Sequence, residues 1–254
     1  MTAMHRPMPE GNIDYWQERT ELAAAFRWAE RLNYHEAVAN HFSLAVDDEG
    51  SQFLINPKLV HFRRIRASQL LLLNVHDQDA LARPDAPDTT AWYLHSALHR
   101  LLPRARCALH VHSIYATVLA TLDDSVLPPI EQNSTLFYKR IAIDTQYGGL
   151  ALDDEAARAC NALRDPQTNV LVMGNHGVMV IGSSVADAFT RLYTFERACE
   201  IYIKALWTQK PLRVLSDAIA SKTRDEFETY PGYAEAHLRE LMAILDEEGS
   251  TYAT

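Results

Sequence analysis

Apolar and polar positions alternate between two periods along this chain, and the alternation lays out its elements. Residues 18–32 (ERTELAAAFRWAERL) carry apolar side chains at three- and four-residue intervals among strong helix formers, which predicts a helix. Phe42 to Val46 reads as a strand, Asp47-Asp48-Glu49-Gly50 as a turn, and Phe53-Leu54-Ile55 as the returning strand of a hairpin. Leu70 to Val75 is a further apolar strand. A proline-rich loop over residues 82–88 leads to Thr89, expected to cap a helix running from Thr90 to Leu101. Ala108 to Val111, Asn169 to Met173 and Val178 to Ile181 read as strands, and Ile114 to Leu122 and Asp153 to Leu163 as helices. Ser184 with Asp187 has the spacing of a capping box and opens a long helix to about Trp207, ended by Pro211. Helices and strands alternate, with hairpins among them, which predicts an α/β fold: a three-layer α/β/α sandwich around a central, mostly antiparallel sheet. The expected organisation is an N-terminal arm over residues 1–17, one domain over 18–210, and a tail over 211–254 with one amphipathic helix near Ala234 to Leu245.

Composition changes the picture by exclusion. A net charge of −9 over 254 residues offers no basic surplus to neutralise phosphates, so a nucleic-acid partner is not expected. No run approaches 18 uninterrupted apolar residues and the first residues lack an apolar core, so neither a membrane span nor a secretory leader is expected. The three cysteines, Cys107, Cys160 and Cys199, form no CxxC pair and fit a reducing, cytoplasmic setting.

Chemistry concentrates in histidine. His110-Val111-His112 sits at the end of an apparent strand, and two histidines at i and i+2 on a strand point the same way. His176, 64 residues after His112, lies in the turn Gly174-Asn175-His176-Gly177 behind another apparent strand. Three imidazoles with an open position suit a catalytic divalent ion, zinc first, at one per chain; four protein ligands would normally close a structural site. Eleven histidines make a chance pair easy, so the convergence of all three carries the expectation.

The segments Asn40-His41-Phe42-Ser43, Phe53-Leu54-Ile55-Asn56-Pro57, His95-Ser96-Ala97, His110-Val111-His112, Gly174-Asn175-His176-Gly177 and Ala188-Phe189, in this order and spacing, resemble the class II aldolase/adducin superfamily. The resemblance covers about residues 18–207 and implies the α/β/α fold, a divalent metal on His110, His112 and His176, a homotetramer, and a small-molecule substrate. It also implies substrate-contacting positions at Asn40, Thr89 and Thr90. In the aldolase branch a Glu lies 19 residues before the first histidine of the H-x-H pair; here that position is Ala91, which can neither ligate nor move a proton. The turn glycine of the sugar-phosphate members is also missing from Asn56-Pro57-Lys58-Leu59, so the chain looks like the adducin-type branch, although it keeps all three histidines. Glu131, in the loop after Pro128-Pro129, is the candidate replacement for the carboxylate, and Tyr115 a candidate proton donor. The family's catalytic tyrosine belongs to the tail, but Tyr230, Tyr233 and Tyr252 stand in no matching motif. The expectation is a metal-dependent lyase acting on a small hydroxy-carbonyl or sugar-derived compound through a metal-stabilised enolate. A non-catalytic adducin-like binding or scaffold protein is the alternative, and a sugar epimerase a further one.

Overall fold

The computed structural model describes residues 13–149 and 152–254. Most of the arm expected over residues 1–17 lies outside the described residues, and helix α1 (Trp16–Arg31) begins two residues before the expected start. α1 turns Leu22, Phe26 and Ala29 inward. The hairpin follows as β1 (His41–Ala45) and β2 (Gln52–Ile55), with Ser43 opposite Ile55. Its turn is held by the Asp47 carboxylate, which accepts from the Ser51 hydroxyl and from the Gln52 amide at 3.0 Å. Gly50 closes it at φ 69°, where an added Cβ would lie 2.5 Å from the His99 carbonyl oxygen.

After β3 (Leu71–Asn74) comes α2 (Thr89–Leu101). Its cap is Asp88, not Thr89 as expected. The Asp88 carboxylate accepts from the amides of Thr90 and Ala91, so Thr89 is already the first helical residue. The chain continues through β4 (Cys107–Val111), α3 (Ile114–Ala120), one helical turn α4 (Gln132–Thr135) and β5 (Ile141–Asp144). It then forms α5 (Leu152–Ala162), β6 (Val170–Met173), β7 (Gly177–Gly182) and the long α6 (Val185–Trp207). Ser184 caps α6 by accepting from the Asp187 amide at 3.1 Å, but the Asp187 carboxylate accepts from the Ser183 amide at 2.9 Å, so only half of the expected capping box forms.

The seven strands form one sheet in the order β3-β2-β1-β4-β7-β6-β5. Every neighbouring pair is antiparallel except β5 with β6. Side-chain alternation divides the sheet's faces. Phe42, Leu109, Val170, Val178 and Val180 pack beneath α1, α3 and α6, while Ala108, Leu171, Met179 and Ile181 pack beneath α2 and α5. This is the three-layer α/β/α sandwich with a mostly antiparallel sheet. The tail departs from expectation: it holds two helices, α7 (Asp217–Glu228) and α8 (Tyr233–Glu247), before a 3-10 turn over Thr251–Ala253. α8 lies on α1 and α6 and buries Leu238, Leu241 and Leu245. No helix among the described residues is long and apolar enough to cross a membrane.

Candidate metal centre

β4 delivers the first two histidines. His110 falls on the sheet face covered by α2 and α5, paired with His41 of β1 on one side and Met179 of β7 on the other. His112 follows two residues later, where the strand turns into α3. That turn is fixed from α6: the buried Glu196 carboxylate accepts from the Ser113 hydroxyl at 2.7 Å and from the amides of Tyr115 and Ala116 at 2.8 and 2.9 Å. Burial pushes the Glu196 carboxyl up, and these three donors oppose the shift.

His176 arrives on the β6–β7 turn. Asn175 takes the left-handed conformation there at φ 56°, and its amide donates to the Ala120 carbonyl at 2.9 Å. The Gly174 amide donates to the Asp144 carbonyl at 2.7 Å, which ties the turn to the end of β5. Met173 and Gly177 pair across the turn, so His176 stands at the turn end of the β6–β7 hairpin.

The three imidazoles form a nearly equilateral cluster with ring centroids 4.9 to 5.0 Å apart, and one donor nitrogen from each lies within 4.8 Å of the others. Hydrogen-bond direction selects the nitrogens. A carbonyl only accepts, so His110 Nδ1 carries the hydrogen it donates to Val178 O at 3.2 Å, which leaves Nε2 with its lone pair. His176 Nδ1 stands 2.9 Å from the Glu155 carboxylate, which likewise accepts and leaves Nε2 free. A carboxylate behind a ligating histidine is the arrangement that orients metal-bound imidazoles. His110 Nε2 and His112 Nε2 are 3.1 Å apart. Burial, reinforced by the neighbouring rings, holds His110 well below the ordinary histidine range and His112 down to about 4, so both are neutral, the form that ligates. The donor set therefore fits a divalent ion.

The other expected site residues are distributed unevenly. Asn40 immediately precedes His41 and has φ 70°. Its Oδ1 accepts from the Glu36 amide at 2.7 Å, whereas its Nδ2 is buried without a partner among the described residues. Thr89 and Thr90 form the first turn of α2, where the Thr90 hydroxyl donates to Asp88 at 2.5 Å. Asp88 is near enough to His41 for each to shift the other's proton affinity. Glu131 is not among the clustered side chains. Its two carboxylate oxygens accept from the Ser134 and Asn133 amides at 2.6 and 2.8 Å and cap α4. The Tyr115 ring lies 5.4 Å from the Lys204 ammonium of α6. Ala91 is buried with Phe53, Ile55 and Trp92. Three neighbours escaped the sequence reading: Glu155, Tyr147, whose ring is 6.2 Å from that of His176, and His41, whose ring stacks on His110. Glu155 sits in a helical run of acids and alanines that gives no sign of a buried partner; His41 was in view only as part of a motif.

Fold and centre together define an α/β protein with a three-histidine cluster where β4 ends beside the β6–β7 turn. Residues 20–203 match the family model described as class II aldolase and adducin N-terminal domain. The chain belongs to that family. It is 30% identical over 190 residues to a Pseudomonas aeruginosa protein provisionally named an aldolase class 2 protein, covering 75% of this chain and 72% of the relative. It is 27% identical over 190 residues to rat alpha-adducin, covering 74% of this chain but only 25% of that much longer protein. A solved aldolase II superfamily protein from Pseudomonas syringae superposes with a TM-score of 0.83 at 28% identity, covering 96% of this chain and 98% of the other.

Proposed function

We propose that this chain is a divalent-metal-dependent lyase that breaks a carbon–carbon bond in a small hydroxy-carbonyl or sugar-derived compound. The observation that carries the reading is the convergence of His110, His112 and His176, with the Nδ1 atoms of His110 and His176 occupied so that Nε2 is left to ligate. These residues would hold one ion per chain, zinc first, and such an ion supplies Lewis acidity toward a carbonyl oxygen. Val178 O and Glu155 fix ring orientation. Asn40, which precedes His41 in the chain, offers an unpartnered buried donor, and Thr89 and Thr90 contribute hydroxyls from the first turn of α2. In this reading Glu131 is the candidate proton acceptor and Tyr115 the candidate donor. Action by Glu131 requires release of its cap on α4. The working form is taken to be a homotetramer, as the family resemblance implies, in the reducing cytoplasm that the three unpaired cysteines fit.

Metal analysis of the purified protein tests this first. The expected result is close to one ion per chain, lost in His110→Ala, with a lower melting temperature after chelation; a protein that binds no divalent metal ends the enzyme reading. If the ion is present, a screen of aldol and decarboxylation substrates follows. Unchanged turnover in Glu131→Gln removes Glu131 from the mechanism.

A second reading, an adducin-like binding protein without turnover, is favoured by one observation: Ala91 supplies no carboxylate and is packed among apolar side chains. A metal-loaded protein inactive throughout the substrate screen would favour it.

A further inference from the structure

We propose that His41 is a ligand-contacting residue of the three-histidine centre, presenting the bare Nε2 of a neutral imidazole to a hydroxyl or amide N–H of the bound molecule. The role rests on the metal-centre reading for its location and on hydrogen-bond direction for its chemistry.

The direction is set by a single backbone carbonyl, Ala105 O, at the far end of a buried chain of hydrogen bonds. Ala105 O can only accept, so His99 Nδ1, 2.9 Å away, carries a hydrogen. A neutral His99 then has a bare Nε2, and the Ser43 hydroxyl donates to it at 2.7 Å. With its one hydrogen used, Ser43 Oγ accepts from His95 Nδ1. His95 Nε2 is therefore bare and accepts from His41 Nδ1 at 2.7 Å. The single hydrogen of a neutral His41 is thus on Nδ1, and Nε2 keeps its lone pair. No step has an alternative direction while the rings stay neutral. Burial favours that state, holding His99 down to about 4 and His95 well below its ordinary range.

The position follows from the sheet. His41 lies directly across from His110 in the β1–β4 register, and the two rings stack with centroids 4.9 Å apart and planes 28° from parallel. His112 and His176 are also close enough to act on it electrostatically. Nε2 has no hydrogen-bond partner among the described residues, and it is not among the fully buried polar atoms left without one. His41 thereby supplies an acceptor lone pair beside a cluster that has no carboxylate at residue 91. Its role is to accept a hydrogen bond and needs no change in its charge. A ligand with a hydroxyl next to its metal-binding oxygen is favoured over the same ligand without one.

Two measurements test this. Two-bond proton–nitrogen correlation spectra of the metal-free protein with 15N-labelled histidine, assigned by comparison with His41→Phe, report which ring nitrogen carries the hydrogen. The expected result is hydrogen on His41 Nδ1, with the preference lost or mixed in Ser43→Ala. Hydrogen on Nε2 in the wild type, or an unchanged tautomer in Ser43→Ala, overturns the proposal. The second measurement is titration of the zinc-loaded protein with glycolate and with acetate. Glycolate is expected to bind more tightly, and His41→Phe, which keeps a ring against His110, to lose about tenfold of that preference. His41→Gln, with an amide oxygen as acceptor, should restore part of it. An unchanged preference in His41→Phe with one zinc still bound overturns the proposal. Failure of the wild type to bind zinc overturns the metal-centre reading instead, while the tautomer result still stands by itself.

Discussion

A Cβ placed on Gly177 would lie 2.5 Å from the Val111 carbonyl oxygen and 2.7 Å from Cδ2 of His112. The glycine after His176 is therefore required by close approach: β7 passes against the end of β4 where the second histidine leaves it. Gly177→Ala should push His112 out of the cluster, costing about 1–3 kcal/mol of stability by overpacking and lowering metal affinity at least tenfold. Denaturant unfolding and titration against a competing chelator measure the two effects. Glu155 acts one bond further out. Glu155→Ala removes the acceptor that orients His176, and a loss of about 10–100-fold in metal affinity is expected with little change in the melting temperature of the metal-free protein.

At the scale of elements, the tail is part of the domain's core. Leu245 is fully buried with Trp16, Ala23, Ala24 and Tyr252, and the Trp28 indole N–H donates to the Leu241 carbonyl at 2.8 Å. Leu245→Ala should therefore destabilise the protein by about 2–4 kcal/mol, read from the urea midpoint, because the cavity would lie between α1 and α8. An effect below about 0.5 kcal/mol would show that α8 docks independently of the domain. Besides the single turn of α4, two elements were missed, each for a physical reason. β5 is four half-buried residues whose pairing is a parallel ladder with β6, and a strand that short announces itself only through its partner. α7 buries one residue, Ala220, so its sequence lacks the apolar stripe that identified α8.

For the whole molecule, the buried histidines couple folding to pH. His95 and His99 are neutral in the fold and have proton affinities lowered from the ordinary 6.5, His99 to about 4, by burial. The unfolded chain binds protons at both below pH 6.5 while the native state does not, so stability is fully present above that pH and is lost as pH falls toward 4. Each contributes a slope of up to about 1.4 kcal/mol per pH unit. Urea midpoints of the metal-free protein should fall steadily from pH 6.5 to 4.5; a flat profile would contradict neutral burial of the α2 histidines.

The periodicities of this chain determined its layers, because each alternation has one face that must leave water, and they located the hairpin, the long α6 and most strands within a few residues. The H-x-H spacing likewise determined that His110 and His112 share a face. Tertiary structure alone decided that His176 meets them, since only the strand order places the β6–β7 turn beside the end of β4. It also decided which nitrogens are free. That depends on Val178 O, Glu155 and the path from Ala105 through His99, Ser43 and His95 to His41, contacts spanning up to 68 residues of sequence that no local pattern encodes.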